Sequence, residues 1–219
     1  MSSEALGAVL FDMDGTLVDT EDLWWEACAE VAVGLGSALG PEDRQALFGL
    51  PVEDAASHVS GRIPGSPGPA AVAALLTTAF TAKIENGVTT LPGAVALLEA
   101  LRAAGIPAGL VSASPRPVVD LVLETVGGDR FRLSVAAGDS ERNKPAPDPY
   151  LAAARRLGVD PASCVAIEDS PTGIASAAGA GCAVLAVGLG GTAPEGVAAV
   201  SSLENVDLAL LRLLVTRAT

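Results

Sequence analysis

The feature that most constrains this chain is a series of short apolar runs at residues 8–11, 108–111, 133–137, 164–167 and 183–187, each too brief for a helix and almost free of polar residues. Strands of that composition are at home in a parallel sheet covered on both faces. Helical patterns fall between them. Pro92 opens one over 93–104 that Gly105 closes, and Asp148-Pro149 opens another over 150–157 that Gly158 closes. The alternation predicts the α/β class, with a Rossmann-like parallel sheet core.

One stretch breaks the rhythm. Residues 20–89 are alanine-rich and helical in pattern, without a convincing strand, and carry a Gly/Pro loop at 61–69. This predicts an α-helical domain at 20–87 inserted into a core domain at 1–19 and 88–219, with linkers near 18–21 and 87–91. A helix over 21–33 places Leu23, Ala27 and Glu30 near one face and Trp24, Cys28 and Val31 near another, so it can pack on neighbours and still offer an edge. Half the chain is hydrophobic, with mean hydropathy +0.45. No run approaches the roughly 18 apolar residues of a spanning helix, so the apolar content reads as a dense soluble core.

The first apolar run ends in Phe11-Asp12-Met13-Asp14-Gly15-Thr16-Leu17. Two acids two residues apart at a strand end can point the same way, at the sheet edge where open α/β folds bind ligands. They repel unless a cation lies between them or one is protonated, which suits a metal site and separates a base from an acid. Alone, the pair could be an acidic turn. Ser112, Lys144 and the pair Glu168-Asp169 also fall at or after the ends of later strands. Singly these read as a turn hydroxyl, a solvated lysine and a helix N-cap. Their order and placement favour a shared site.

DMDGT, Ser112 in Leu-Val-Ser-Ala-Ser, Lys144 in Asn-Lys-Pro-Ala-Pro-Asp, and Glu168-Asp169-Ser170 together resemble the four ordered motifs of the haloacid dehalogenase superfamily. The helical insertion resembles the subgroup of β-phosphoglucomutase and the sugar-phosphate phosphatases. The resemblance implies Asp12 as a nucleophile that forms an aspartyl-phosphate, and Asp14 as its acid/base partner. It implies Mg²⁺ on the Asp12 carboxylate, the Asp14 carbonyl and the Asp169 carboxylate. Glu168 is a ligand or an outer group, the latter preferred. Ser112 and the Ala113 N–H would hold phosphoryl oxygens, and Lys144 would offset their charge.

Asp14 favours phosphate transfer over dehalogenation, because a carbon–halogen bond needs no proton delivered to its leaving group. The mutase is the main rival to a phosphatase. Where mutase-like sequences carry a histidine and an arginine in the cap, Trp24 and Val52 stand here, so a bisphosphate would lack its second anchor. A magnesium-dependent phosphatase acting on a small sugar or polyol phosphate is expected. A non-catalytic module on the same fold is the other alternative, although every chemical position is filled. Trp24 forms a substrate wall or fills the cap core, and Trp25 is assigned to the core. Ser114 and Arg116 could reach the substrate body, Arg116 equally being a surface charge. His58 is read as a cap-surface histidine without a partner, and Lys83 as an unpromising Schiff-base candidate.

The net charge of −13 argues against nucleic acid as a partner and requires the site to supply its own positive charge. Cys28, Cys164 and Cys182 are scattered and read as reduced core thiols. With no secretory pattern at the N-terminus, a cytoplasmic protein without membrane contact is expected, as a monomer or weak homodimer.

Overall fold

The computed structural model describes residues 6–189 and 193–218. Its main sheet has six parallel strands: β1 (Ala8–Phe11), β4 (Ala108–Val111), β5 (Leu133–Val135), β6 (Cys164–Glu168), β7 (Ala183–Val187) and β8 (Ala198–Val200). The spatial order is β5-β4-β1-β6-β7-β8. The chain therefore builds outward from β1 on one side, then returns to build outward on the other. That reversal beside β1 opens a crevice at the carboxyl ends of β1, β4 and β6.

Alternation along each strand feeds two cores. Val9 and Phe11 join Leu110, Val165, Ile167 and Leu185 under α5 (Ala94–Ala103), α6 (Arg116–Val126) and α9 (Leu208–Ala218). Ala8 and Leu10 join Val111, Val135 and Ala166 on the opposite face, under α7 (Asp148–Leu157) and α8 (Pro171–Gly179). Complete burial of β1 on both faces explains its unbroken apolar run. The run at 133–137 is strand only to Val135. Beyond it the chain turns, with Ala136 N–H bonded to Asp139 and Ala137 N–H to Ser114 O. β8 and α9 extend the alternation and were not anticipated from the sequence.

The insertion holds four helices, α1 (Glu21–Gly34), α2 (Pro41–Leu47), α3 (Val52–Arg62) and α4 (Pro69–Glu85). They enclose a cluster of their own that includes Cys28, Leu47, Val59, Val72 and Leu76. A two-residue antiparallel ribbon brackets them, β2 (Val18–Asp19) with β3 (Thr89–Thr90), registered Val18 to Thr90. Expecting no strand up to residue 89 therefore missed β3, which is too short to show a period. The ribbon holds both connections side by side at the mouth of the crevice. Among the described residues, no helix is long and apolar enough to cross a membrane.

Candidate active site

Backbone bonds carry the strand ladders one step past their ends: Asp12 N–H reaches Ile167 O and Ser112 N–H reaches Val135 O, each at 2.9 Å. Asp12, Ser112 and Glu168-Asp169 thereby stand on one edge. Gly15, at φ +73°, turns the chain away. A Cβ there would lie 1.9 Å from Asp169 Oδ2, so glycine is required both for the turn and for the approach of the acid.

Lys144 is the hub of the site. Its buried Nζ donates to Asp12 Oδ1 at 2.6 Å, to Glu168 Oε1 at 2.6 Å and to Val111 O at 2.9 Å. Burial works against its charge, but Asp12 and Glu168 prevail and hold the ammonium above the usual lysine range. Asp14 accepts from Thr20 at 2.7 Å, from Ser114 at 2.8 Å and from Ser112 at 3.5 Å. Burial, followed by the charge of Asp12, pushes its carboxyl up to about 6. Burial and then Asp12 likewise raise Glu168 to about 7.

Oxygen atoms of Asp12, Glu168 and Asp169 all lie within 4.8 Å of one another. In Asp169, burial followed by the charges of Asp12 and Glu168 pushes the carboxyl to about 9. Acids crowded to that degree, beside a cradle that a Cβ at Gly15 would fill, fit a hard divalent cation with oxygen ligands.

A cavity of about 320 Å³ opens above these groups, lined on the core side by Asp12, Asp14, Ala113, Ser114, Lys144 and Asp169. The insertion supplies Trp24, Leu47, Phe48, Leu50, Val52 and Phe80, a mainly apolar wall. Trp24 packs edge-on against Phe80 at 5.1 Å, with its Nε1 donating to Leu47 O at 3.4 Å, so it serves both as wall and as core. Trp25 packs against the cap cluster, as assigned, and lines the cavity as well. Arg44 lies 6.0 Å over its ring.

Other expectations need correction. Arg116 is not on the cavity: its guanidinium pairs with Asp139 and bonds Ser134 Oγ at 2.8 Å and Asp120 at 3.3 Å, which anchors the start of α6. Ser112 is buried beneath Ala113 and Ser114, its hydroxyl accepting from Ser114 N–H at 2.9 Å and lying 3.5 Å from Asp14 Oδ2. His58 has a partner, Asp43 at 2.8 Å, whose carboxylate also takes Arg62 at 2.6 Å. Lys83 pairs with Glu26 and Glu30. Two residues at the site were not singled out from the sequence, Thr20 on Asp14 and Tyr150 on Glu168. A hydroxyl at the start of the first cap helix and the chain's only tyrosine, six residues after Lys144, were the available signals.

A family model for haloacid dehalogenase-like hydrolases matches residues 6–181. The chain belongs to the haloacid dehalogenase-like hydrolases. It is similar to hexitol phosphatase A of Escherichia coli (strain K12), with 36% identity over 205 residues, 92% of this chain and 88% of that protein. Protein CbbY of Rhodobacter capsulatus is 34% identical over 192 residues, 82% of this chain and 84% of that one. A crystal structure of CbbY from Rhodobacter sphaeroides in complex with phosphate superposes with a TM-score of 0.84 at 26% identity, covering 94% of this chain and 99% of that chain. Family membership makes the chain a hydrolase, and the edge of β1, β4 and β6 is the place to look for its chemistry.

Proposed function

We propose that this hydrolase is a magnesium-dependent phosphatase for a small sugar or polyol phosphate, working through an aspartyl-phosphate on Asp12. The observation that carries the reading is Lys144 Nζ bridging Asp12 and Glu168 beside Asp169, which makes one buried lysine serve an otherwise acidic cluster. The hexitol phosphatase and CbbY relatives support the substrate class.

Asp12 attacks phosphorus and the ester oxygen leaves with the proton of Asp14. Asp14 then takes a proton from the water that cleaves the acyl phosphate, which returns Asp12 and frees inorganic phosphate. Thr20 and Ser114 orient Asp14 for both transfers. The Ala113 N–H and the Ser112–Ser114 turn receive phosphoryl oxygens. Magnesium would be held by the carboxylates of Asp12 and Asp169 and the Asp14 carbonyl, and would supply charge compensation and polarisation of the phosphoryl group. Residues 20–87 act as a cap, closing on the β2–β3 ribbon to exclude water.

A phosphatase is favoured over a mutase because the cap wall offers Trp24 and Val52. Arg44, its cation on the cavity, is already held by Asp22 at 2.5 Å and Glu21 at 3.5 Å. Incubation with MgCl₂, β-glucose 1-phosphate and a bisphosphate primer should release inorganic phosphate. Efficient formation of glucose 6-phosphate would reverse the choice, and absence of any magnesium-dependent hydrolysis across a panel of sugar and polyol phosphates would refute the enzyme reading.

A further inference from the structure

Lys144 has three ammonium protons and three protein acceptors, so its orientation is fixed by what holds those acceptors. Val111 O is backbone, and Asp12 is set by β1. Glu168 is a flexible side chain, fully buried, that serves two neighbours at once: its Oε1 takes Lys144, and an oxygen of the same carboxylate lies within 4.8 Å of oxygens of Asp12 and Asp169, where a cation fits. Its Oε2 has only a marginal donor, Ser170 Oγ at 3.5 Å, and lies against Gly173, where a Cβ would come within 1.9 Å. Oε1 accepts from Lys144 and, in a short bond, from the hydroxyl of Tyr150. Tyr150 is fully buried on α7. The Lys144 ammonium also lies 5.2 Å from the centre of its ring.

We infer that Tyr150 is a positioning residue that pins Glu168 Oε1 on Lys144 and so restrains this carboxylate, which already borders Asp12 and Asp169, from turning onto a cation held by those two acids. Two donors on one oxygen hold the carboxylate in place, and through it the ammonium is kept on Asp12. Without the hydroxyl, a buried carboxylate one donor short gains by turning toward the cation. The inference rests on the phosphatase reading for its kinetic consequence and on the acid cluster alone for its binding consequence.

Tyr150→Phe tests this, since it keeps the ring and removes one hydroxyl. Titration of the substrate-free protein with MgCl₂ by calorimetry should show binding tightened, and turnover of a sugar phosphate should fall with KM unchanged, each by on the order of tenfold, the size typical of partners behind metal ligands. In a Glu168→Gln background the same substitution should leave magnesium affinity unchanged. A residue that merely fills space would lower the melting temperature and move neither constant. Unchanged or weakened magnesium binding in Tyr150→Phe would overturn the assignment. Should the Phe variant fold poorly, Tyr150→Leu must tighten magnesium binding in the same way or the assignment fails. A wild-type protein that binds magnesium without hydrolysing any phosphate ester would sink the phosphatase reading and leave the titration still decisive for Tyr150.

Discussion

Replacing Asp169 by Asn should make the metal-free protein more stable while ending its activity. The folded site pushes the Asp169 carboxyl from 3.8 to about 9 through burial and the charges of Asp12 and Glu168. Between those values the folded chain holds a proton that the unfolded chain has released, so stability falls as pH rises across that window. Near pH 7.5 the cost reaches at most about 5 kcal/mol, at about 1.4 kcal/mol per pH unit above 3.8. An uncharged isostere removes much of it, about 2–5 kcal/mol, which for a chain of this length corresponds to a rise of about 5–15 °C in melting temperature. Thermal unfolding in EDTA at several pH values reads this directly. The gap between variant and wild type should widen from pH 5 to pH 9 and close below about pH 4, where both states are protonated. Saturating MgCl₂ should restore the wild type by about 2.7 kcal/mol at a hundredfold excess over Kd and leave the variant nearly unmoved. If Asp169→Asn in EDTA is no more stable than wild type, or the gap does not change with pH, the acids are not crowded in the way argued.

Asp14→Asn should lower kcat by about 10²–10⁴ for an alkyl phosphate. Because Asp14 sits at about 6 and the first step needs its acid form, kcat/KM for such substrates should decline above that pH, measured as phosphate release. The same profile with p-nitrophenyl phosphate, whose leaving group needs no proton, should lack the decline. Gly15→Ala should abolish magnesium activation, since its Cβ would lie 1.9 Å from Asp169 Oδ2, and the left-handed turn adds strain of about 1 kcal/mol; calorimetry should show metal binding lost. In the cap, Asp43→Asn should destabilise by about 0.5–2 kcal/mol, as read by urea unfolding. Bonds from Gly40 N–H, His58 and Arg62 hold this carboxyl near 2, so its contribution is present above pH 4 and disappears as the pH falls toward 2.

The parts of the site that were legible in the sequence are those whose chemistry is unusual for their place. Asp12, Asp14 and Asp169 are acids at the ends of strands so apolar that only function explains them, and Lys144 is a buried lysine in a Pro-rich loop. The parallel sheet was legible for the same reason, since burial on both faces writes itself as an unbroken apolar run. What could not be read depends on how loops fold back. Arg116 follows the second motif by a few residues, yet Asp139 captures its side chain away from the cavity. His58 meets Asp43 only because α2 and α3 pack together, and a two-residue ribbon such as β3 is too short to announce itself. Tyr150 looks like a first-turn core residue until its hydroxyl is seen on Glu168.

The charge balance of the site also argues for the order of the chemistry. In the proposed reaction, Lys144 and a divalent cation would together offset the carboxylates of Asp12, Glu168 and Asp169, and neutrality would be reached only when Asp14 keeps its proton. Below about pH 6, where Asp14 keeps its proton, the site would be in the form that the first step requires, with an acid ready beside the nucleophile. Loss of that proton to the departing alcohol would leave the site one charge more negative. Asp14 would thereby become the base that the second step needs, while Thr20 and Ser114 still hold it. Thr20 and Ser114 each donate to a different oxygen of Asp14, an arrangement that serves the anion in the second half-reaction and can yield one acceptor to the proton in the first. A site built this way gains its two-step reaction from the alternation of one carboxyl group between charge states, so substitutions at Thr20 or Ser114 should change the balance between the two half-reactions more than the binding of substrate.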